Sequence, residues 1–365
     1  LAILLSLRSL SKEIRLLRLS QQGQISESKP THDATADSGF AVTRRPDAMV
    51  LENTITIAGE AAENIILSLI VNDQITSVTL PQKNKFQFEN VRLSYGNNEI
   101  IVRGIDANGL TTILEKISTS YGSPRLDYLA RDFSRGNSQI SNIALTFDGG
   151  SGNNVTTRIL DYLSAKHIRC TMFLTGAFIN RYPDLVKRMV KDGHEIGNHT
   201  WSHPHLTTYE TNRRHETLAE VSREKLQDEL KRTAERFTAL TGKKMAPYWR
   251  APYGEHNQQI RLWAAEAGYS HVGWTMGRGN GESMDTLDWV ADTSASSYKS
   301  SAQILQRILD FGSTTEIGAN GGIILMHLDT QRNGDHPSDM LPTLIDSLKQ
   351  RGYQLVTISQ MMNRL

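Results

Sequence analysis

The chain has almost no cysteine, few aromatic residues and no excess of either charge. With Cys170 as its one thiol, it cannot form an internal disulfide framework. That thiol lies in the apolar run Cys170-Thr-Met-Phe-Leu-Thr175 and is expected to be a buried core group, not a nucleophile. One cysteine suits a reducing cytoplasm and equally a bacterial envelope protein that avoids thiols. Aromatics make up 7% of the residues and do not interleave with a basic run, which excludes a single-strand nucleic-acid surface. Lys plus Arg number 40 against 39 Asp plus Glu, so no basic field calls for nucleic acid. Long hydrophobic runs are also missing, and Leu1-Ala-Ile-Leu-Leu-Ser-Leu7 is too short to cross a bilayer. Arg8, Lys12, Arg15 and Arg18 follow it, and the chain opens without Met. This pattern fits the remnant of a longer signal or anchor segment, or the start of an amphipathic helix.

What is present divides the 365 residues into four stretches. Residues 1–44 read as a short basic helix followed by a flexible linker, since Gln21–Thr43 is polar and aperiodic. Residues 45–121 switch to period two, with short strands at Thr54–Ala58, Ile65–Val71, Ile75–Leu80, Lys85–Glu89, Glu99–Arg103 and Thr111–Ile117. Turn signals at Asn72-Asp73, Pro81, Tyr95–Asn98 and Asp106–Gly109 separate them, which predicts an all-β sandwich. Its pattern, notably Asn98–Gly109, resembles bacterial immunoglobulin-like modules. It carries no constellation of reactive groups and is read as a spacer or a carbohydrate-contacting accessory. Residues 122–141 read as a second linker.

From residue 142 to 365, strands and helices alternate. Strands are expected at 143–147, 170–174, 195–198, 245–250, 271–275, 322–326 and 354–358, and helices near 155–166, 182–192, 215–241, 257–267, 300–311 and 339–351. Gly193, Gly242, Gly268 and Gly352 stand where helix C-caps belong. This alternation implies an α/β fold with a parallel sheet, closed or nearly closed. A doubly wound sheet lacks a dinucleotide fingerprint, because Gly277-Arg-Gly-Asn-Gly281 has the wrong spacing and follows the fifth strand.

In such a barrel, reactive side chains gather at the carboxyl ends of the strands. The first strand ends in Asp148, the third in His199 and His203, the fourth in Arg250 and the sixth in His327, while Asp285-Thr-Leu-Asp288-Trp289 follows the fifth. His199 and His203, four apart, are expected on one side of a helical turn, a spacing that suits zinc or another divalent transition metal. Singly, Asp148 fits a helix N-cap, Arg250 a surface ion pair and His327 a core histidine. Delivered together to one rim, they fit metal-assisted hydrolysis of an amide or ester. Asp148 would be the base, held ionised by Arg250, and His327 the acid, kept cationic by Asp288 and shielded by Trp289.

These segments resemble the polysaccharide deacetylase family, carbohydrate esterase family 4 with its NodB homology domain, over residues 143–360. Thr146-Phe-Asp-Gly-Gly150 is similar to its first motif and His199-Thr-Trp-Ser-His203 to its second. Arg250-Ala-Pro-Tyr253, Asp285-Thr-Leu-Asp-Trp289 and Leu325-Met-His327 are similar to the third, fourth and fifth. The resemblance implies a distorted (β/α)7 barrel that removes N- or O-acetyl groups from sugar polymers. It implies Asp148 as base, His199 and His203 as ligands of zinc, cobalt, nickel or manganese, Arg250 orienting the base, and His327 as acid tuned by Asp288. Tyr253 would lie in the substrate groove with its N–H in the oxyanion hole, beside Trp289, Leu325 and His205.

Two departures stand out. The family's first motif carries two adjacent Asp, the second a metal ligand, and Gly149 occupies that place here. The third ligand is then open, with Asp148, Asn153 and Asn154 as candidates. Met276–Met284 is an apparent insertion expected to form a lid or groove wall. The expected partner is an acetylated polysaccharide of the cell envelope, met outside the cytoplasm, with membrane attachment through a missing N-terminal segment. Rival readings are a barrel that only holds glycan, and an amidase acting on a small cyclic amide. The charge run Arg213–Lys244 reads as the solvated face of a long helix.

Overall fold

Period-two burial organises the first part of the chain. In the computed structural model, which describes residues 40–277 and 282–363, the chain divides into two units at Ser123. The basic helix expected over residues 1–20 and the linker up to residue 39 lie outside the described residues. The first unit is all-β: β1 (Ala41–Arg44), β2 (Met49–Val50), β3 (Thr54–Glu60), β4 (Ile66–Val71), β5 (Gln74–Thr79), β6 (Lys85–Arg92), β7 (Gly96–Ile105) and β8 (Thr111–Tyr121). They form two sheets, ordered β1-β3-β6 and β2-β8-β7-β4-β5. Residues 41–44, expected at the end of a linker, instead pair antiparallel with β3. Alternation places Phe86 and Phe88 of β6 inside, and Lys85 and Gln87 outside. Asn98 shapes the turn before β7, its side chain bonding Ser94 and Gly96 carbonyls at 2.7 and 2.8 Å.

The second unit contains α1 (Pro124–Leu129), β9 (Asp132–Phe133), β10 (Asn142–Gly149), α2 (Thr156–Ala165), β11 (Thr171–Leu174), α3 (Gly176–Arg181) and α4 (Pro183–Lys191). There follow β12 (Glu195–Asn198), α5 (Tyr209–Asn212), α6 (Arg223–Thr241), β13 (Tyr248–Trp249), α7 (Gln258–Glu266) and β14 (Ser270–Val272). The chain continues through α8 (Ser301–Leu309), β15 (Gly322–His327), α9 (Leu341–Gln350), β16 (Gln354–Leu355) and α10 (Ile358–Met362). The strands make one curled parallel sheet, ordered β15-β10-β11-β12-β13-β14-β9, with β16 also on β10. Residues 122–141 are thus not a linker: they supply α1 and the edge strand β9, which pairs with β14. Two residues are too short for hydrophobic alternation to announce a strand. The helix expected from 215 begins at Arg223, behind the Ser222 N-cap.

Every residue of β10 is buried, because helices cover one face of the sheet and the curl encloses the other. Ile143, Leu145 and Phe147 join the main apolar cluster with Leu160, Phe178, Ile308 and Leu344 from the surrounding helices. Ala144, on the opposite face, packs with Phe173, Val272, Ile323, Ile358 and Met361. Cys170 is the expected buried thiol, and burial pushes its pKa well up. Among the described residues no helix is long and apolar enough to cross a membrane. Ile324 is fully buried in the central layer. Ile324→Ala is expected to cost about 2–5 kcal/mol, measured as a lowered denaturant midpoint at unchanged slope.

Candidate active site

Beyond the Ala144 layer, the inward face of β10 turns polar with Thr146 and Asp148. Arg250, at the end of β13, is fully buried and reaches both. Its Nη1 donates to Asp148 Oδ1 at 2.7 Å and its Nη2 to Thr146 Oγ1 at 2.9 Å. Nε and Nη2 also donate to the Val272 and Gly273 carbonyls at 3.0 and 2.9 Å. The guanidinium lies 4.3 Å over the Phe173 ring. A buried charge persists only when its donors are met in this way. Burial would raise the Asp148 pKa, but Arg250, then His199 and His327, override it and hold the carboxyl below its ordinary range.

His199 follows β12, and its Nδ1–H donates to the Arg250 carbonyl at 2.9 Å. That bond leaves the lone pair on Nε2, which faces His203 Nε2 at 3.2 Å. Burial keeps His199 neutral, and burial with His199 pushes His203 down to about 3. A tetrahedral zinc ion holds two imidazole nitrogens about 3.3 Å apart, so this facing pair fits such an ion. Asp148 Oδ2 is 3.6 Å from His199 Nε2. Asn154 is otherwise engaged, its side chain accepting from Thr330 N and donating to Thr330 O.

The histidines do not share a helical turn, as their spacing suggested. They lie on a loop in which Thr200 and His203 have φ of 65° and 60°. Tyr253 and Leu287 in the neighbouring loops are also left-handed, at 57° and 54°. Each such residue costs about 1–3 kcal/mol and persists only where its surroundings over-determine it. Two carboxylates missed in the sequence do this. Glu229 of α6 accepts from Trp201 N, Ser202 N and Ser202 Oγ at 2.8, 2.7 and 3.0 Å. Glu255, 1% exposed, accepts from Leu206 N and Thr207 N and pairs with His205 Nδ1, all within 3.0 Å. A signal for Glu229 existed: it falls in the buried stripe Leu226, Leu230, Thr233 and Phe237, so the helix is not merely a solvated face.

Across the mouth, Asp288 accepts from His327 Nδ1 at 2.6 Å and from His327 N at 2.8 Å. Burial would lower the His327 pKa, but Asp288 raises it to about 9, leaving Nε2 as a proton-bearing nitrogen. Asp148 and His327 are register partners across β10 and β15. Leu325 pairs with Thr146 and is buried on the same inward side. Tyr253 and Trp289 are each 54% exposed, and the His205 ring stacks on Tyr253 at 4.0 Å and 3°. In the Met276–Met284 segment, Met276 bridges Ser283 antiparallel, while residues 278–281 lie outside the described residues. The segment leaves Asp288 on His327, as the motif order implied.

Gly149 is more than a missing ligand. A Cβ there would meet Leu174 Cδ2 at 2.7 Å, Leu328 Cδ1 at 3.1 Å and Phe178 Cδ2 at 3.3 Å. The space beside it is filled with apolar groups.

Comparison with known proteins agrees with this architecture. The profile of the family described as polysaccharide deacetylase matches residues 135–272. A peptidoglycan-N-acetylglucosamine deacetylase of Bacillus cereus is 32% identical over 60% of this chain and 67% of its own length. The peptidoglycan-N-acetylmuramic acid deacetylase PdaA of Bacillus subtilis is 30% identical over 63% of this chain and 74% of its own. The solved structure of Bacillus subtilis PdaA, a family 4 carbohydrate esterase, is similar with a TM-score of 0.52 at 28% identity, over 66% of this chain and 88% of that one. The chain belongs to the polysaccharide deacetylase family. It is, in class, a polysaccharide deacetylase, a hydrolase that removes acetyl groups from a polysaccharide.

Two outcomes follow from the geometry. An acid must be protonated to act, so with a His327 pKa of about 9 the kcat/KM is expected to fall as pH rises through that value. Asp288→Asn removes the carboxylate and should move this alkaline limb down by about one pH unit or more, read from the pH profile. Gly149→Asp is expected to cost about 1–3 kcal/mol through overpacking against Leu174, measured by chemical denaturation.

Proposed function

We propose that this chain deacetylates the glycan of peptidoglycan outside the cytoplasm, with Asp148 as base and His327 as acid. The observation that carries the reading is the pair of oppositely tuned couples, Asp148–Arg250 and His327–Asp288, whose Asp148 and His327 are register partners on neighbouring strands beside His199 and His203. His199 and His203 would hold a divalent metal, zinc by their donor chemistry, which supplies Lewis acidity to the acetyl carbonyl. Asp148 Oδ2, the oxygen that does not bond Arg250, takes the proton of the attacking water. His327 Nε2 delivers a proton to the amine nitrogen as the C–N bond breaks, giving acetate and a free amine. Tyr253 N–H is assigned to the carbonyl oxygen, and the Tyr253–His205 stack with Trp289 to the sugar chain.

With Gly149 in the first motif, Asp148 Oδ2 would also be the carboxylate oxygen available as third ligand, a role that competes with its role as base, and the loss of one carboxylate would weaken metal affinity. The substrate reading draws on the Bacillus cereus and Bacillus subtilis relatives, whose names specify peptidoglycan. The parallel sheet is assigned to the distorted (β/α)7 barrel of the family. The first unit is assigned to the immunoglobulin-like class, as a spacer.

Acetate release from peptidoglycan and acetylated chito-oligosaccharide should vanish with chelator and return with zinc. Absence of release from a protein shown to hold metal would set this substrate class aside. Gly149 favours a second reading, a barrel that holds glycan without turning it over. His327→Ala distinguishes the two: the deacetylase loses about 10²–10⁴ in rate while keeping glycan affinity, whereas a pure binder shows no turnover to lose.

A further inference from the structure

Period two carries Trp249, His271 and Asp132 to the outward face of the sheet, because Arg250 and Val272 point inward. Trp249 packs there with Ile260 and Ala264 of α7. His271 is 1% exposed, and its Nδ1 lies 2.8 Å from Asp132 Oδ1. His256, on the loop into α7, brings Nε2 to 4.0 Å from the same oxygen. One donor atom from each of the three residues lies within 4.8 Å of the other two. Among the described residues, His271 Nε2 is buried without a hydrogen-bond partner.

We infer that Asp132, His256 and His271 form a second metal site, for a divalent transition ion such as zinc, on the outer face of the sheet and separate from His199 and His203. Two imidazoles and a carboxylate are a donor set that zinc accepts, and its ligand atoms stand about 3.3 Å apart. The separations from Asp132 Oδ1, 2.8 Å to His271 Nδ1 and 4.0 Å to His256 Nε2, bracket that value, so closure requires His256 to move inward. The ion would tie β9 to β14 and to the loop before α7. The site is structural in kind, adding to the hold that Gly273 N and Thr275 Oγ1 already have on the Phe133 and Ser134 carbonyls. The inference does not depend on the deacetylase reading.

Arg261 competes for the cluster. Its Nη1 donates to His256 Nδ1 at 2.7 Å, and its Nε to the Ala130 carbonyl at 2.9 Å. While that Nδ1 accepts, the ring proton sits on Nε2, and a metal on Nε2 needs the reverse tautomer. Metal entry therefore displaces the guanidinium from His256, leaving it on Ala130. It follows that Arg261→Ala should bind metal more tightly, by about tenfold, through removal of a competing cation.

The test is zinc or cobalt(II) uptake by the whole chain. His199→Ala/His203→Ala abolishes the inward site and is expected still to take up one equivalent. Its melting temperature should rise by about 5–10 °C at metal concentrations near a hundred times Kd. Adding Asp132→Ala/His256→Ala should abolish both effects. In a background with both inward histidines intact, Asp132→Ala/His256→Ala should lose one of two equivalents, which keeps the test open if the other variant fails to fold. A folded His199→Ala/His203→Ala protein that takes up no metal would overturn the inference. So would uptake by the His199→Ala/His203→Ala protein that survives the further loss of Asp132 and His256.

Discussion

The buried pair between Asp148 and Arg250 is the interaction on which the rest of the second unit depends. A guanidinium with no exposure is tolerable only because its bonds go to Asp148, Thr146 and two carbonyls of the β14 end. Its own carbonyl meanwhile accepts from His199. One side chain therefore spans the curled sheet from β10 to β14, and one backbone group sets the tautomer of the facing histidine. Removing either partner would leave an uncompensated charge in the interior, at about 3–5 kcal/mol.

Around that pair, strain and support are matched. Thr200, His203, Tyr253 and Leu287 are non-glycine residues in left-handed backbone, all in loops at the carboxyl ends of the strands. Glu229 and Glu255 supply acceptors to the backbone N–H groups of the Trp201–Thr207 loop. Gly176 allows a further support, since a Cβ there would lie 2.1 Å from the Trp201 ring, over which Arg232 also lies at 4.6 Å. Site geometry of this kind is carried by long-range bonds from α6 and from the loop before α7, not by the loop's own propensity.

The outward face shows how the same alternation serves a different chemistry. Neighbouring residues Trp249 and Arg250 point in opposite directions, one into the apolar layer under α7 and the other into the polar interior. His271 and Val272 repeat the split one strand away. Two histidine-and-carboxylate groups are thereby kept apart by the thickness of one sheet. Each has an arginine beside it, Arg250 inside and Arg261 outside.

The sequence by itself determined the alternation of strands and helices after residue 142 and the residues of the main motifs. These are written in local periodicity, in glycines such as Gly242 at the α6 C-cap, and in spacings that survive without a partner. The strand at Asp132–Phe133 was not legible, because two residues hold no period and pair with a segment well over a hundred residues away. Glu255 carries no sign of its role in the chain, because the backbone N–H groups of Leu206 and Thr207 come against it only on folding. The packing of Leu174, Leu328 and Phe178 around Gly149 was likewise invisible in the chain. Only the tertiary structure decided these points. A hydrogen bond or a filled cavity depends on groups distant in sequence, whereas periodicity records only which face of an element is buried.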